Sequence, residues 1–195
     1  MNIRKYLRAI FFIKINFDRI GSDVSSTLTE NTMKQIINIK SLSATPFLSL
    51  RKERQSKIVL VGGCFDIVHL GHLRFLEKAK KQGDILVILL ESDENIKKIK
   101  GKNRPINNQS NRAEFLTKLK MVDYIIKLPM MKNDEEYLKL VKKIKPKIIA
   151  VSEDDKNIVQ KRGQARLVGA KLIKVTDLIK QQSTTKIIEV ITESF

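Results

Sequence analysis

From Lys57 onward, short aliphatic runs alternate with longer stretches in which apolar residues recur every three or four positions. Ile58–Val61, Ile85–Leu90, Tyr124–Leu128, Ile148–Val151 and Lys171–Val175 have the length and branched-aliphatic content of strands buried on both faces. Between them, Leu73, Leu76, Ala79 and Lys80 share a helical face, as do Phe115, Leu116 and Leu119. Tyr137, Leu138, Val141 and Ile144 do the same before Pro146, which stops a helix. Strands that pair in parallel need a crossover between them, and a helix is the usual one. The alternation therefore predicts an α/β, Rossmann-like fold, a five-stranded parallel sheet with helices on both faces. Ligands of such sheets bind beyond the carboxyl ends of the strands, where the strand order reverses. Residues that directly follow a strand are thus the first to examine for function.

The segment before this pattern is different. Residues 1–55 show no clean period, contain the Ser/Thr-rich stretch Gly21–Thr32 and end on Arg51-Lys52-Glu53-Arg54. They read as an N-terminal extension, poorly ordered, with a docking arm as the alternative. Residues 56–195 then form the domain. Ala9–Ile13 is apolar but is interrupted by Lys14, far short of the roughly 20 residues that span a bilayer. No small-residue cleavage site follows this basic and apolar start, so export is not expected. The single cysteine, Cys64, cannot close an internal disulfide, which fits a reducing, cytoplasmic setting. A net charge of +17 invites a nucleic-acid reading. The Lys and Arg residues are, however, spread through every segment and not gathered into a patch. Neither nucleic acid nor membrane is an expected partner.

The first strand leads into Gly62-Gly63-Cys64-Phe65-Asp66-Ile67-Val68-His69-Leu70-Gly71-His72. Glycines after a strand permit a sharp turn and close approach of a ligand, and a helix starting near Leu70 aims its amide-rich end at that ligand. His69 and His72, three apart in the first turn with Gly71 between, can bring two imidazole donors to one phosphate. They are the chain's only histidines. The plainer reading is that one caps the helix while the other packs in the core. Asp66, following a glycine turn, reads as a turn or capping residue and not as a metal ligand. Cys64 reads as packing under the loop, without a catalytic role for its thiol.

This G-x-F-D-x-x-H-x-G-H pattern resembles the signature of the cytidylyltransferase-like family of the HIGH nucleotidyltransferase superfamily, over about Lys57 to Ile191. The resemblance implies transfer of a nucleoside monophosphate from ATP or CTP to a phosphorylated small molecule, with release of pyrophosphate. It implies that His69 and His72 act on the triphosphate as catalytic residues, with Gly62, Gly63, Cys64, Phe65, Asp66 and Gly71 forming the nucleotide loop. Mg2+ is expected to arrive with the nucleotide, without dedicated protein ligands. Small members of the family are often dimers, which makes a homodimer one option here and leaves the oligomeric state open. Transfer of this kind relies on positioning and electrostatics, and no covalent enzyme intermediate is expected.

Two further segments match the family. Lys97-Lys98-Ile99-Lys100-Gly101-Lys102-Asn103-Arg104-Pro105-Ile106 resembles its basic loop after the second strand, which places Lys100, Lys102 and Arg104 toward phosphate; a solvated lysine-rich loop is the alternative. Arg112, in Asn111-Arg112-Ala113-Glu114, matches an arginine that the family directs to the active site, or it pairs with Glu114 or with solvent. Ser183-Thr184-Thr185 resembles the end of the family's phosphate-holding pattern, although the arginine and glycine expected just before it are absent, leaving Lys180 or Lys186 as replacements. Lys100-Gly101-Lys102-Asn103-Arg104-Pro105-Ile106-Asn107 with Arg112-Ala113-Glu114 is most similar to the heptose-phosphate adenylyltransferases, which favours ATP and a sugar phosphate such as heptose 1-phosphate. Glycerol-3-phosphate cytidylyltransferase and FAD synthase are the alternatives within the superfamily. A nucleotide-binding module without turnover and a basic nucleic-acid-binding protein are those outside it. Asp154 and Asp155, after the fourth strand, are either ligand contacts or a helix-start acidic cluster.

Overall fold

The structure is a computed structural model that describes residues 36–39, 42, 55–176 and 187. All of these lie in one compact unit, residues 35–195. Its strands are β1 (Ile36–Asn38), β2 (Ile58–Gly63), β3 (Ile85–Leu90), β4 (Tyr124–Lys127), β5 (Ile148–Ser152) and β6 (Lys171–Thr176). Its helices are α1 (Leu70–Lys80), α2 (Asp93–Lys100), α3 (Gln109–Thr117), α4 (Asp134–Ile144) and α5 (Ile158–Val168). The sheet runs β1-β4-β3-β2-β5-β6, every pair parallel. The order reverses at β2, whose neighbours are β3 and β5, so the crevice for a ligand opens above the carboxyl ends of β2 and β5.

Six strands stand among the described residues where five were expected. The additional one, Ile36–Asn38, comes from the segment read as an extension and pairs with β4 through Ile36, Ile37 and Asn38. A run of three residues is too short to show a period, so pattern alone could not find it.

The central strands are apolar without interruption because both faces are covered. Ile58, Leu60, Val87 and Leu89 face the side packed by Leu140, Val141 and Ile144 of α4 and Ala165 of α5. Their neighbours Val59, Val61, Leu86, Ile88 and Leu90 face Leu76 and Ala79 of α1 and Ala113 and Leu116 of α3.

Helix ends follow local chemistry. Ser92, Asn108 and Asn133 each accept from the backbone N–H three residues on, capping α2, α3 and α4. Lys145, with φ 48°, closes α4 in the left-handed region directly before Pro146, as the proline predicted. α2 corrects one expectation: Lys97–Lys100 are its last turn and not loop, because the Ser92 cap and the acidic first turn of Asp93 and Glu94 start a helix that Gly101, at φ 97°, then ends.

Candidate active site

β2 delivers the motif to the crevice. Phe65 has φ 48°, an uncommon conformation for a residue with a side chain, and it brings its ring over Gly63. A Cβ on Gly63 would stand 2.8 Å from that ring, which is why glycine is needed there. Gly62 meets only Leu89, at 4.0 Å. The Phe65 ring continues onto His72, centroid to centroid 5.2 Å.

His69 is the cap of α1, its Nδ1 accepting from the Gly71 N–H at 3.1 Å. That bond fixes the tautomer, because a nitrogen that accepts cannot carry the proton, so Nε2 is the donor. The His72 ring lies 3.9 Å from the His69 ring. Its Nδ1 is buried and without a partner. Burying a lone pair is easier than burying an unsatisfied N–H, which assigns the His72 proton to Nε2 as well. Burial lowers the pKa of His69. Burial, then the neighbouring His69 imidazole and the Lys100 ammonium, pushes His72 down to about 3. The pair is thus two neutral imidazoles, each with one N–H to offer. The capping and packing roles that were the plainer reading exist, and they orient the rings without using their Nε2 donors.

Asp66 is buried and organises the basic loop. Its carboxylate accepts from Arg104 Nε at 2.7 Å, from the Ile106 N–H at 3.0 Å and from the Asn107 N–H at 2.9 Å, while Asn107 Nδ2 donates to the Asp66 carbonyl. Arg104, expected to face phosphate, is itself buried by this pairing. Arg112 is 1% exposed. Nε donates to Asn107 O, Nη1 to Cys64 O, and Nη2 to both Glu91 O and Asp93 Oδ1. A guanidinium so enclosed ties the loops after β2 and β3 to the 104–107 loop, and its hydrogen bonds among the described residues all go to those loops. Its acidic partner is Asp93 and not Glu114.

Lys100 ends α2 and is exposed, and its charge acts on both His72 and Cys64, so it stands near the pair. Lys102 is exposed on the following loop. Burial raises the pKa of the Cys64 thiol, which suits a packing role and not a nucleophile. Asp155 accepts from the Asn157 N–H at 2.9 Å and from Lys161 Nζ at 2.6 Å, the arrangement of a helix-start acid. Asp154 is exposed. Ser183, Thr184, Thr185, Lys180 and Lys186 lie outside the described residues.

The model of the cytidylyltransferase-like family matches residues 60–190, from β2 onward and across this whole arrangement. The chain belongs to the cytidylyltransferase-like family of nucleotidyltransferases. It is 40% identical to the bifunctional protein HldE of Helicobacter hepaticus over 167 residues, 84% of this chain and 33% of that protein. It is 36% identical to HldE of Campylobacter jejuni over 180 residues, 91% of this chain and 35% of that protein. The chain therefore spans about a third of the length of the curated relatives it matches. Among solved structures, a lipopolysaccharide core biosynthesis protein from Thermoplasma volcanium is similar at 28% identity and a TM-score of 0.52, covering 63% of this chain and 98% of that one. A pantoate-beta-alanine ligase from Francisella tularensis shares the fold, with a TM-score of 0.55 at 18% identity over 81% of this chain and 76% of that one.

Around the cytidylyltransferase-like motif the structure adds residues to which sequence alone assigned no individual site role: Glu91, Asp93, Asn95, Asn107 and Tyr137. Glu91 had a detectable signal, since a charged residue directly after the wholly apolar β3 sits at the ligand edge of the sheet. Tyr137 had none, because its spacing matches the core face of α4.

Proposed function

We propose that this domain transfers AMP from ATP to a sugar 1-phosphate of the heptose 1-phosphate type and releases pyrophosphate. The observation that carries the reading is the pair of neutral imidazoles, 3.9 Å apart at the N-terminus of α1, beside the glycines that end β2. An oxygen of the acceptor phosphate attacks the α-phosphorus, the bond from that phosphorus to the bridging oxygen breaks, and pyrophosphate departs in line. The Nε2 donors of His69 and His72, the amides that open α1 and the Lys100 ammonium would meet the negative charge that builds on the phosphates. Among the described residues no group of three or more His, Cys, Asp or Glu side chains could hold a metal ion. Mg2+ would enter with the triphosphate, where it neutralises phosphate charge. The sugar-phosphate acceptor is supported by the Lys100–Asn107 and Arg112–Glu114 pattern and by the likeness to a protein named for lipopolysaccharide core biosynthesis.

The test is a matrix of ATP, CTP and GTP against heptose 1-phosphate, glycerol 3-phosphate and flavin mononucleotide, scored by pyrophosphate. ATP with heptose 1-phosphate is expected to be the fastest pair, and His72→Ala to slow it at least about a hundredfold with the fold retained. Nucleotide binding without pyrophosphate from any pair would make this a binding module.

A further inference from the structure

The carboxyl edge of the sheet carries a second polar cluster, on the face away from the paired histidines. Glu91 follows β3, and its N–H donates to Gly63 O at 3.1 Å, so it stands beside the end of the motif strand. Side chains alternate along a strand: Leu90 faces α1 and α3, while Leu89 faces α4 and α5. Glu91 turns the way Leu89 does and meets Tyr137 of α4. Tyr137 Oη donates to the carboxylate, 3.0 Å from each oxygen. Asn95 Nδ2 donates to Glu91 Oε2 at 2.7 Å and to Tyr137 Oη at 3.0 Å. Burial, followed by the Glu91 charge, raises the Tyr137 pKa well above its ordinary value, so the phenol stays protonated and donating.

These contacts orient the carboxylate without neutralising it. Both partners are neutral, and no ion pair among the described residues involves Glu91. A carboxylate has about four acceptor sites, and two donors serve this one, which leaves capacity for two more. Glu91 is also only partly buried. The Lys100 and Glu91 charges both act on the Cys64 thiol, so both stand near it. A phosphate would be repelled at the Glu91 end, whereas hydroxyl groups are neutral donors that a carboxylate binds well.

We propose that Glu91, aimed by Tyr137 and Asn95, recognises the hydroxyl groups of a polyhydroxylated acceptor. The acceptor lies with its phosphate toward His69, His72 and Lys100 and its ring hydroxyls on Glu91. This rests on the nucleotidyltransferase reading above and adds to it the residue that selects the acceptor. Acceptors with a second anionic group at the Glu91 end are rejected by the same charge.

The experiment compares the full chain with Glu91→Leu and Glu91→Gln in steady-state pyrophosphate release, using ATP and the best acceptor of the matrix. Glu91→Leu raises the acceptor KM about tenfold or more, and Glu91→Gln, which keeps one acceptor oxygen, raises it less. The ATP KM and the Mg2+ half-saturation stay unchanged. Deoxy acceptors separate recognition from a merely structural role: loss of the recognised hydroxyl costs the wild type about tenfold in kcat/KM and costs Glu91→Leu little. An unchanged acceptor KM in both variants overturns the proposal, as does an equal deoxy penalty in wild type and Glu91→Leu at every ring position. A shift in Mg2+ half-saturation with the acceptor KM intact also overturns it, by assigning Glu91 to the metal. Should the wild type release no pyrophosphate with any acceptor, the nucleotidyltransferase reading fails by itself. Calorimetric titration of the same variants with the sugar phosphates then decides the role of Glu91 separately.

Discussion

The Asp66 carboxylate holds Arg104 Nε at 2.7 Å across 38 residues of sequence, with both side chains almost wholly buried. The bond joins the histidine-bearing loop to the basic loop. Asp66→Asn would put an amide donor among three existing donors and leave the Arg104 charge without its partner. Removing one member of a buried pair costs about 3–5 kcal/mol. We expect a loss of that size in urea denaturation, together with loss of pyrophosphate release. A variant with wild-type stability would show that the pair is dispensable.

Arg112→Lys is expected to behave as a severe change. One ammonium cannot reach Asn107 O, Cys64 O, Glu91 O and Asp93 Oδ1 together, so buried acceptors lose their donors. Each orphaned group costs about 1–3 kcal/mol. Because three site loops loosen at once, KM should rise for nucleotide and acceptor alike, which initial-rate kinetics will separate from a defect in one substrate.

His72 makes stability depend on pH in a defined window. In the folded chain its pKa is about 3, against an ordinary value of 6.5. The unfolded chain therefore binds the proton more readily, and acid favours unfolding. The contribution is whole above about pH 6.5, declines as pH falls and is gone near pH 3, at a slope of at most about 1.4 kcal/mol per pH unit. His72→Gln cannot titrate, so between pH 7 and pH 5 it should lose less stability than the wild type in urea melts.

The two glycines that end β2 should respond differently to alanine. At Gly63 the new methyl meets the Phe65 ring at 2.8 Å and displaces it from His72, an overpacking cost of about 1–3 kcal/mol. At Gly62 the nearest atoms are 4.0 Å away, so the fold should tolerate alanine. If the nucleotide approaches the backbone there, Gly62→Ala will weaken ATP binding in calorimetry without a change in melting temperature.

Much of this protein was legible before folding was considered. Unbroken aliphatic runs and the 3.6-residue period are local properties of the chain, and they specified the parallel sheet, the helix that starts near Leu70 and the stop at Pro146. The spacing of His69 and His72 placed both rings on one helical turn. Their tautomers, by contrast, depend on the Gly71 N–H and on burial, which only the packed site supplies.

What tertiary structure alone decided is where each charge points. The sequence presents Lys100, Lys102, Arg104 and Arg112 as one basic series. Folding divides them, since Asp66 and Asp93 are held close enough to take up Arg104 and Arg112, and Lys100 and Lys102 are left at the surface. The same packing brings Tyr137, 46 residues distant, onto Glu91. Periodicity records which side of a helix is buried and says nothing of what lies across from it. Partners that distant are chosen by strand order, and strand order is set by the whole chain at once.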